Sequence, residues 1–315
     1  MSEEIKNNEH RKMSDEQKFR SAVLEGVIED VQVKWDDIEG LESVKRTLQE
    51  TIVYPLQRPD LFKGLRKVSK GVLFYGPPGT GKTMLAKALA SEVKQIFFSL
   101  SASSLLSKWY GESEKMIRTL FEVARERSPS IIFIDEIDSL LSSSTSEDDT
   151  TRRVKTEFLI QLDGIGVKGE TETEEAPGTD VRVLLIGATN HPQKLEDAAL
   201  RRFSKHIEIP LPDEPARTGY LSRFLANEAI NDTELHRLAL FSQGYSLSDM
   251  QNMLQEAAME PVREKIQQLD SLTEDRIRPI QVKDILHALS VTKPTVSSNT
   301  LFAIEQWKKA QGLAT

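Results

Sequence analysis

Residues 76–83 read GPPGTGKT, directly after the apolar run GVLFY (71–75) and at the start of the helical pattern GKTMLAKALASEV. Gly76, Gly79 and Gly81 leave backbone N–H groups free to converge on phosphate oxygens, and the helix that follows turns its positive end toward the same place. In such a loop the Lys82 ammonium reaches the β- and γ-phosphates and the Thr83 hydroxyl ligates Mg²⁺, so ATP and Mg²⁺ are the expected cofactors. The expected contact stretch is Gly76, Pro77, Pro78, Gly79, Thr80, Gly81, Lys82, Thr83 and Met84. A second acidic motif, IIFIDEID (131–138), ends an apolar run on Asp135, placed to hold the Mg²⁺ through its water shell. Glu136 follows and can polarise an attacking water as general base. Together the two motifs point to hydrolysis of ATP rather than binding without turnover.

These groups need rigid elements to carry them. GVLFY (71–75), QIFFSL (95–100), IIFID (131–135), VRVLLIGAT (181–189) and HIEIPL (206–211) read as short apolar strands with helical patterns between them. Near-continuous apolar strands alternating with helices are the pattern of a parallel α/β sheet covered on both faces. The expected division is a disordered N-terminus (1–18), a linker helix (19–33), a large α/β domain (34–212), a helical domain (213–292) and a C-terminal helix (293–315). Ser246 or Ser248 is expected to cap the longest helix of the second domain, with Asp249 in its first turn. Leu301, Ile304 and Trp307 are expected on one face of the last helix. The acidic, low-complexity segment 166–180 reads as a surface loop.

Bulk composition narrows the classes. The net charge of −8 argues against a broad nucleic-acid footprint. With no cysteine there are no disulfides and no thiolate zinc site, and the five histidines are scattered without metal-ligand spacing. No apolar run approaches the ~18 residues that span a bilayer. The expected location is the cytoplasm, with the nucleus or cytoskeleton open.

GPPGTGKT, IIFIDEID, GATN and LRRF, in that order, resemble an AAA ATPase, and the resemblance runs from about residue 19 to 312. WDDIEG, SKWYGESEK, RRVKTEFL and GYSLSD are similar to the branch of spastin, katanin, fidgetin and the endosomal-sorting ATPases. The fold implied is a P-loop three-layer sandwich with a parallel five-stranded sheet, followed by a small all-helical lid. The resemblance implies that Asn190 orients the hydrolytic water and that Arg201 and Arg202 act as arginine fingers in the neighbouring subunit's site. Fingers acting in trans imply a ring, a homo-hexamer in this family. Asp37, Ile38 and Gly40 then close over the adenine. Lys108, Trp109 and Tyr110 become pore residues that grip a polypeptide, with a second pore loop around 147–153. That stretch lacks the Gly-Glu-His element of spastin and fidgetin, which puts a preference for acidic tails such as tubulin's in question. Two further departures are His191 after Asn190 and Leu247 where a glycine is typical.

The linker helix, the short interval before RIRPIQVKDILHAL and the closing segment favour the spastin and fidgetin-like side. The expected function is therefore a remodelling ATPase that severs microtubules, with disassembly of ESCRT-III polymers as the alternative. The roughly thirty residues ahead of the ATPase region are too few for a targeting bundle, so either an adaptor partner supplies targeting, or this is a minimal enzyme, or its substrate differs. A DNA-associated motor and a nucleotide-binding scaffold with little turnover are the competing classes.

Overall fold

The computed structural model describes residues 17–28, 32–58, 60–62, 70–109, 111–142, 149–165, 183–228, 230–265 and 277–313. The acidic segment 166–180, Tyr110 and the first sixteen residues lie outside them. The chain forms two compact units: Met1–Trp35, Lys45–Tyr75 and Thr83–Glu208 make the first, and Asp36–Val44, Gly76–Lys82 and Ile209–Thr315 the second.

The first unit is built on a sheet of β1 (Val27–Ile28), β2 (Gly71–Tyr75), β3 (Ile96–Ser101), β4 (Ser130–Asp135), β5 (Val183–Thr189) and β6 (Lys205–Glu208). Their order across the sheet is β1-β3-β4-β5-β2-β6. Strands β2 to β6 are parallel, and β2 and β5 are buried along their whole length, as strands covered on both faces must be. The five-stranded expectation is corrected by one strand. β1 adds an antiparallel edge, Val27 opposite Phe98 and Ile28 opposite Phe97. Two residues are too few to display alternation, so this edge left no periodic mark on the sequence.

A helix over 17–25, α1, leads into β1. Next come α2 (Glu42–Leu48) and α3 (Tyr54–Gln57), joined by a π-turn, then α4 (Lys82–Val93), α5 (Ala102–Lys108), α6 (Ser113–Glu126), α7 (Asp138–Leu141), α8 (Asp149–Asp163) and α9 (Asp197–Leu200). Residues 149–153, within the expected second pore loop, are the first turns of α8. Phe121 of α6 meets Phe158 of α8 edge-on, 5.8 Å between ring centres, and Phe97 stacks on Phe133 inside the sheet at 5.9 Å. Gly187 is required by packing: a Cβ there would lie 2.9 Å from Ile137 Cδ1 and 3.1 Å from the Phe203 ring. Phe203, 2% exposed, thereby anchors the turn that carries Arg201 and Arg202.

The second unit holds α10 (Glu214–Phe224), α11 (Asp232–Phe241), α12 (Leu247–Arg263), α13 (Val282–Val291) and α14 (Ser298–Ala310). Leu221, Leu235, Leu238, Met250, Met253 and Ile285 form its core. Of the two serines considered as caps, Ser246 is the one used. Its hydroxyl accepts the Asp249 N–H while the Asp249 carboxylate accepts the Ser246 N–H, so two orphan donors are satisfied together. On α14, Ile304 and Trp307 are buried but Leu301 is 39% exposed. The buried stripe runs through 300, 303, 304, 307 and 308, and Leu301 falls off its edge.

Candidate functional site

Within the second unit the phosphate loop is shaped by close approach. Gly76 has φ 151° and a Cβ there would meet the Ile209 carbonyl oxygen at 2.1 Å. A Cβ on Gly79, at φ 74°, would lie 2.6 Å from the Ser246 hydroxyl, and the Gly79 carbonyl accepts the Ser248 N–H at 3.2 Å. Neither position admits a side chain. Lys82 is 6% exposed and its ammonium donates to the Gly76 and Pro77 carbonyls at 3.0 and 2.7 Å, so the loop's own oxygens hold the cation beside its glycines. The Thr80 hydroxyl closes the turn on Pro77 at 3.0 Å. Met84, one turn into α4, is exposed. Pro78 is exposed and Pro77 buried. Leu247, the residue in place of a glycine, comes within 3.7 Å of where a Gly81 Cβ would stand.

The adenine-side candidates lie in the same unit. Ile38 is buried, and Gly40, at φ 68°, lies against Ala216, so that a Cβ added at Gly40 would be 2.6 Å from the Ala216 Cβ. Asp37 is tied to α10, because Arg223 donates to its carbonyl at 3.0 Å and to its carboxylate at 2.6 Å. Its carboxylate is thus committed to an ion pair, which leaves the backbone and Ile38 as the surfaces available to a base.

In the first unit, the Thr83 hydroxyl donates to Asp135 Oδ2 at 2.7 Å, and Asp135 Oδ1 accepts the Glu136 N–H at 2.9 Å. Hydroxyl and carboxylate are hard oxygen donors of the kind Mg²⁺ takes alongside phosphate oxygens. Glu136 has φ 52°, a left-handed conformation that a non-glycine residue adopts only when its surroundings impose it. The next N–H, that of Ile137, is fixed on the Ala188 carbonyl at 2.9 Å. The Glu136 carboxylate accepts from the Ser103 hydroxyl at 2.8 Å and, more weakly, from Ser101 at 3.4 Å, and the two serines contact each other at 2.7 Å. On the neighbouring strand, Thr189 donates to Asp138 at 2.7 Å and accepts the His191 N–H at 2.9 Å. Between them stands Asn190, whose Oδ1 is buried without a hydrogen-bond partner among the described residues. A buried acceptor left unpaired is costly, and its position at the strand ends suits a ligand or water completing it.

Arg201 and Arg202 differ sharply. Arg201 is exposed, whereas Arg202 makes a forked pair with Asp163 at 2.9–3.1 Å and donates to the Ala198 carbonyl at 2.7 Å.

Trp109, the expected pore aromatic, is 9% exposed in this single chain, 5.3 Å from the Phe19 ring of α1, with Lys18 Nζ 5.2 Å above it. The reason is ordinary: an indole, a phenyl ring and an ammonium gain more from one another than from water. Lys108 closes α5 just before it.

Ser101, Ser103, Asp163 and Arg223 escaped the motif reading although each holds a candidate residue in place. A signal existed for one of them: Ser101 ends β3 directly opposite Asp135, so a polar residue there faces the acidic strand tip.

The model for the ATPase family associated with various cellular activities (AAA) matches residues 72–211. The chain is 48% identical to fidgetin-like protein 1 of Caenorhabditis briggsae over 284 residues, 89% of this chain and 46% of that protein. It is 44% identical to spastin of Naegleria gruberi over 301 residues, 94% of this chain and 56% of that protein. It thus spans about half the length of these relatives. The crystal structure of the FIGL-1 AAA domain in complex with ADP superposes with a TM-score of 0.83 at 43% identity, covering 93% of this chain and 96% of that one. A structure described as the basis for katanin self-assembly gives 0.75 at 36%, covering 92% and 96%. With a phosphate loop, an acidic strand tip and this likeness in hand, the chain belongs to the AAA family of ATPases.

Proposed function

We propose that this chain hydrolyses Mg-ATP within a ring of identical subunits, six by resemblance, and uses the turnover to draw a protein tail through a central pore and dismantle a polymer. Microtubule severing is the activity its resemblance favours. The observation that carries the hydrolytic part is the contact of the Thr83 hydroxyl with Asp135, next to a Glu136 held in a left-handed turn. Loop N–H groups and Lys82 bind the phosphates, and Lys82 exchanges its two carbonyl partners for phosphate oxygens when it does so. Thr83 and Asp135 hold the magnesium, which supplies charge to offset that of the phosphates. Glu136 takes the proton of the attacking water at a carboxylate oxygen, Ser103 fixes its direction, and Asn190 Oδ1, without a partner among the described residues, accepts from that water. Asp37, Ile38 and Gly40 border the base. Arginine from the next subunit meets the charge developing on the transferred phosphoryl group.

The test is Glu136→Gln on purified protein. Turnover is expected to vanish while ATP binding survives, and chelating Mg²⁺ should abolish wild-type turnover. The specific activity should rise with protein concentration as rings form. Activity independent of concentration would count against the ring, and a slow rate shared by wild type and variant would favour a scaffold. Stimulation by tubulin-tail peptides would support severing. Stimulation by ESCRT-III tails alone would overturn it in favour of that polymer, and no response to either would withdraw both substrates.

A further inference from the structure

Asp249 is a buried carboxylate for which the hydrolytic chemistry has no use. It is 1% exposed in the first turn of α12, and the capping box accounts for only part of its bonding. Its Oδ2 accepts the Ser246 N–H at 2.9 Å and the Ser246 hydroxyl at 2.8 Å, with the Thr295 N–H at 3.3 Å. Its Oδ1 accepts the Thr295 hydroxyl at 2.8 Å. A capping carboxylate needs only the first of these contacts. Two of the others reach the stretch that joins α13 to α14. Among the described residues they are the only hydrogen bonds of residues 293–296, a mostly exposed run of chain. Tyr245 holds the start of the same stretch, its hydroxyl donating to the Thr292 carbonyl at 2.5 Å.

Residues 246–248 are seated on the phosphate loop. The Ser248 N–H donates to the Gly79 carbonyl at 3.2 Å, and Ser246 and Ser248 together leave no room for a Cβ on Gly79. Residues 245–249 therefore contact both the loop and the connection to α14. We propose that Asp249 and Thr295 form a strut between the two, resting on the phosphate-binding reading above: the connection to α14 steadies the loop for nucleotide, and nucleotide in the loop steadies α14. Both are positioning residues that act through Ser246 and Ser248 on Gly79. Such coupling is reciprocal, so whatever the strut adds to nucleotide affinity, nucleotide adds to the hold on α14. A hydroxyl on an ionised carboxylate is among the stronger hydrogen bonds, and its removal leaves a buried charge short of a donor.

The experiment titrates ADP calorimetrically into wild type, into Thr295→Val, which keeps the side-chain shape and loses the donor, and into Thr295→Ser, which keeps the donor. Trp307, 7% exposed on α14, reports on that helix once Trp35 and Trp109 are replaced by phenylalanine. Thr295→Val should bind ADP about three- to tenfold more weakly, with KM for ATP raised and kcat unchanged, a split that lost stability alone does not produce. Thr295→Ser should match wild type. ADP should alter the acrylamide quenching of Trp307 when Thr295 is present and leave it unaltered in Thr295→Val. A Thr295→Val protein that melts earlier yet binds ADP as wild type does would overturn the strut and leave Asp249 a helix cap. A Trp307 response that persists in Thr295→Val, or is missing when Thr295 is present, would overturn it too. Wild type that binds no ADP would instead sink the phosphate-binding reading, and the strut with it.

Discussion

Helix α5 is seven residues long, and its two ends sit in opposite surroundings. Near its start Ser103 holds the Glu136 carboxylate at 2.8 Å, inside a polar group that also contains Asp135 and Thr83. At its far end, ~9 Å along the axis at the usual helical rise, Trp109 is shut under Phe19 and Lys18 of α1. One end is a polar site already arranged for chemistry in a single chain. The other is a buried apolar residue. Hydrolytic groups gain from being fixed before the reaction, because no reorganisation is left for the transition state. An aromatic ring has no such need, and left bare it would add an exposed apolar patch.

The comparison breaks most visibly at the polar end. Glu136→Gln removes the proposed base but keeps an acceptor for Ser103, and kcat is expected to fall at least about a hundredfold. A rate within a few-fold of wild type would mean that the polar group is structural only. Replacing both serines, Ser101→Ala with Ser103→Ala, keeps the base and removes what aims it. A loss of about tenfold in kcat with KM unchanged is expected, the worth of one hydrogen bond to a charged group. Equal rates would show that the backbone turn alone, with Glu136 at φ 52°, is enough to direct the carboxylate.

What the sequence announced and what it hid divide along a physical line. GPPGTGKT and IIFIDEID carry their chemistry in consecutive residues, and a strand before and a helix after them suffice to place the groups. The parallel sheet was legible from apolar runs for the same reason. Hidden were the groups brought in from afar: Ser103 reaches Glu136 across 33 positions, Asp163 reaches Arg202 across 39, and Arg223 reaches Asp37 across 186. A serine or an aspartate on a helix looks like any solvated polar residue until the fold supplies its partner. Trp109 is a different case. Its residue type alone favours burial, and the resemblance favours a pore; in the single chain it is buried.

The apolar end is tested by Phe19→Ala, which removes the ring against Trp109 while leaving β1 its pairing with β3. Loss of a buried phenylalanine costs about 3–5 kcal/mol when the whole fold depends on it. Here the ring secures one helix at the chain's start, so the expected consequence is local loosening with the main thermal transition only slightly lowered. Emission from Trp109 should shift to the red and become open to acrylamide. Trp109→Phe in the same background identifies the signal against the other two tryptophans. If release of α1 also increases stimulation by a tail peptide, the covered state is a brake on substrate capture. Unchanged emission would show that the indole stays buried without help from α1.

The smallest effect is a pH dependence of the same contact. Arg20 of α1 makes a forked ion pair with Glu126 at the end of α6, and its hydrogen bond holds the Glu126 carboxyl below the usual glutamate value of 4.5. A carboxyl depressed in the folded state adds stability that is fully present above its unfolded pKa and is lost as the pH falls through the folded one. The pair therefore secures α1 at neutral pH and weakens only below about pH 4.5. Side chains 37% and 53% exposed are well screened, so its contribution is slight. The neighbouring carboxylate facing α1 is Glu112, whose contact with Lys18 is a looser 3.9 Å. Acid also protonates Glu157 and Asp284, which Arg118 and Arg278 hold low in the same sense, so general acid loosening must be subtracted. The quantity to follow is the difference in Trp109 quenching between wild type and Glu126→Gln. It should be present at neutral pH and shrink toward zero as the wild-type carboxyl protonates. A difference that stays constant down to pH 3 would assign the hold on α1 to Phe19 packing and leave the ion pair no part in it.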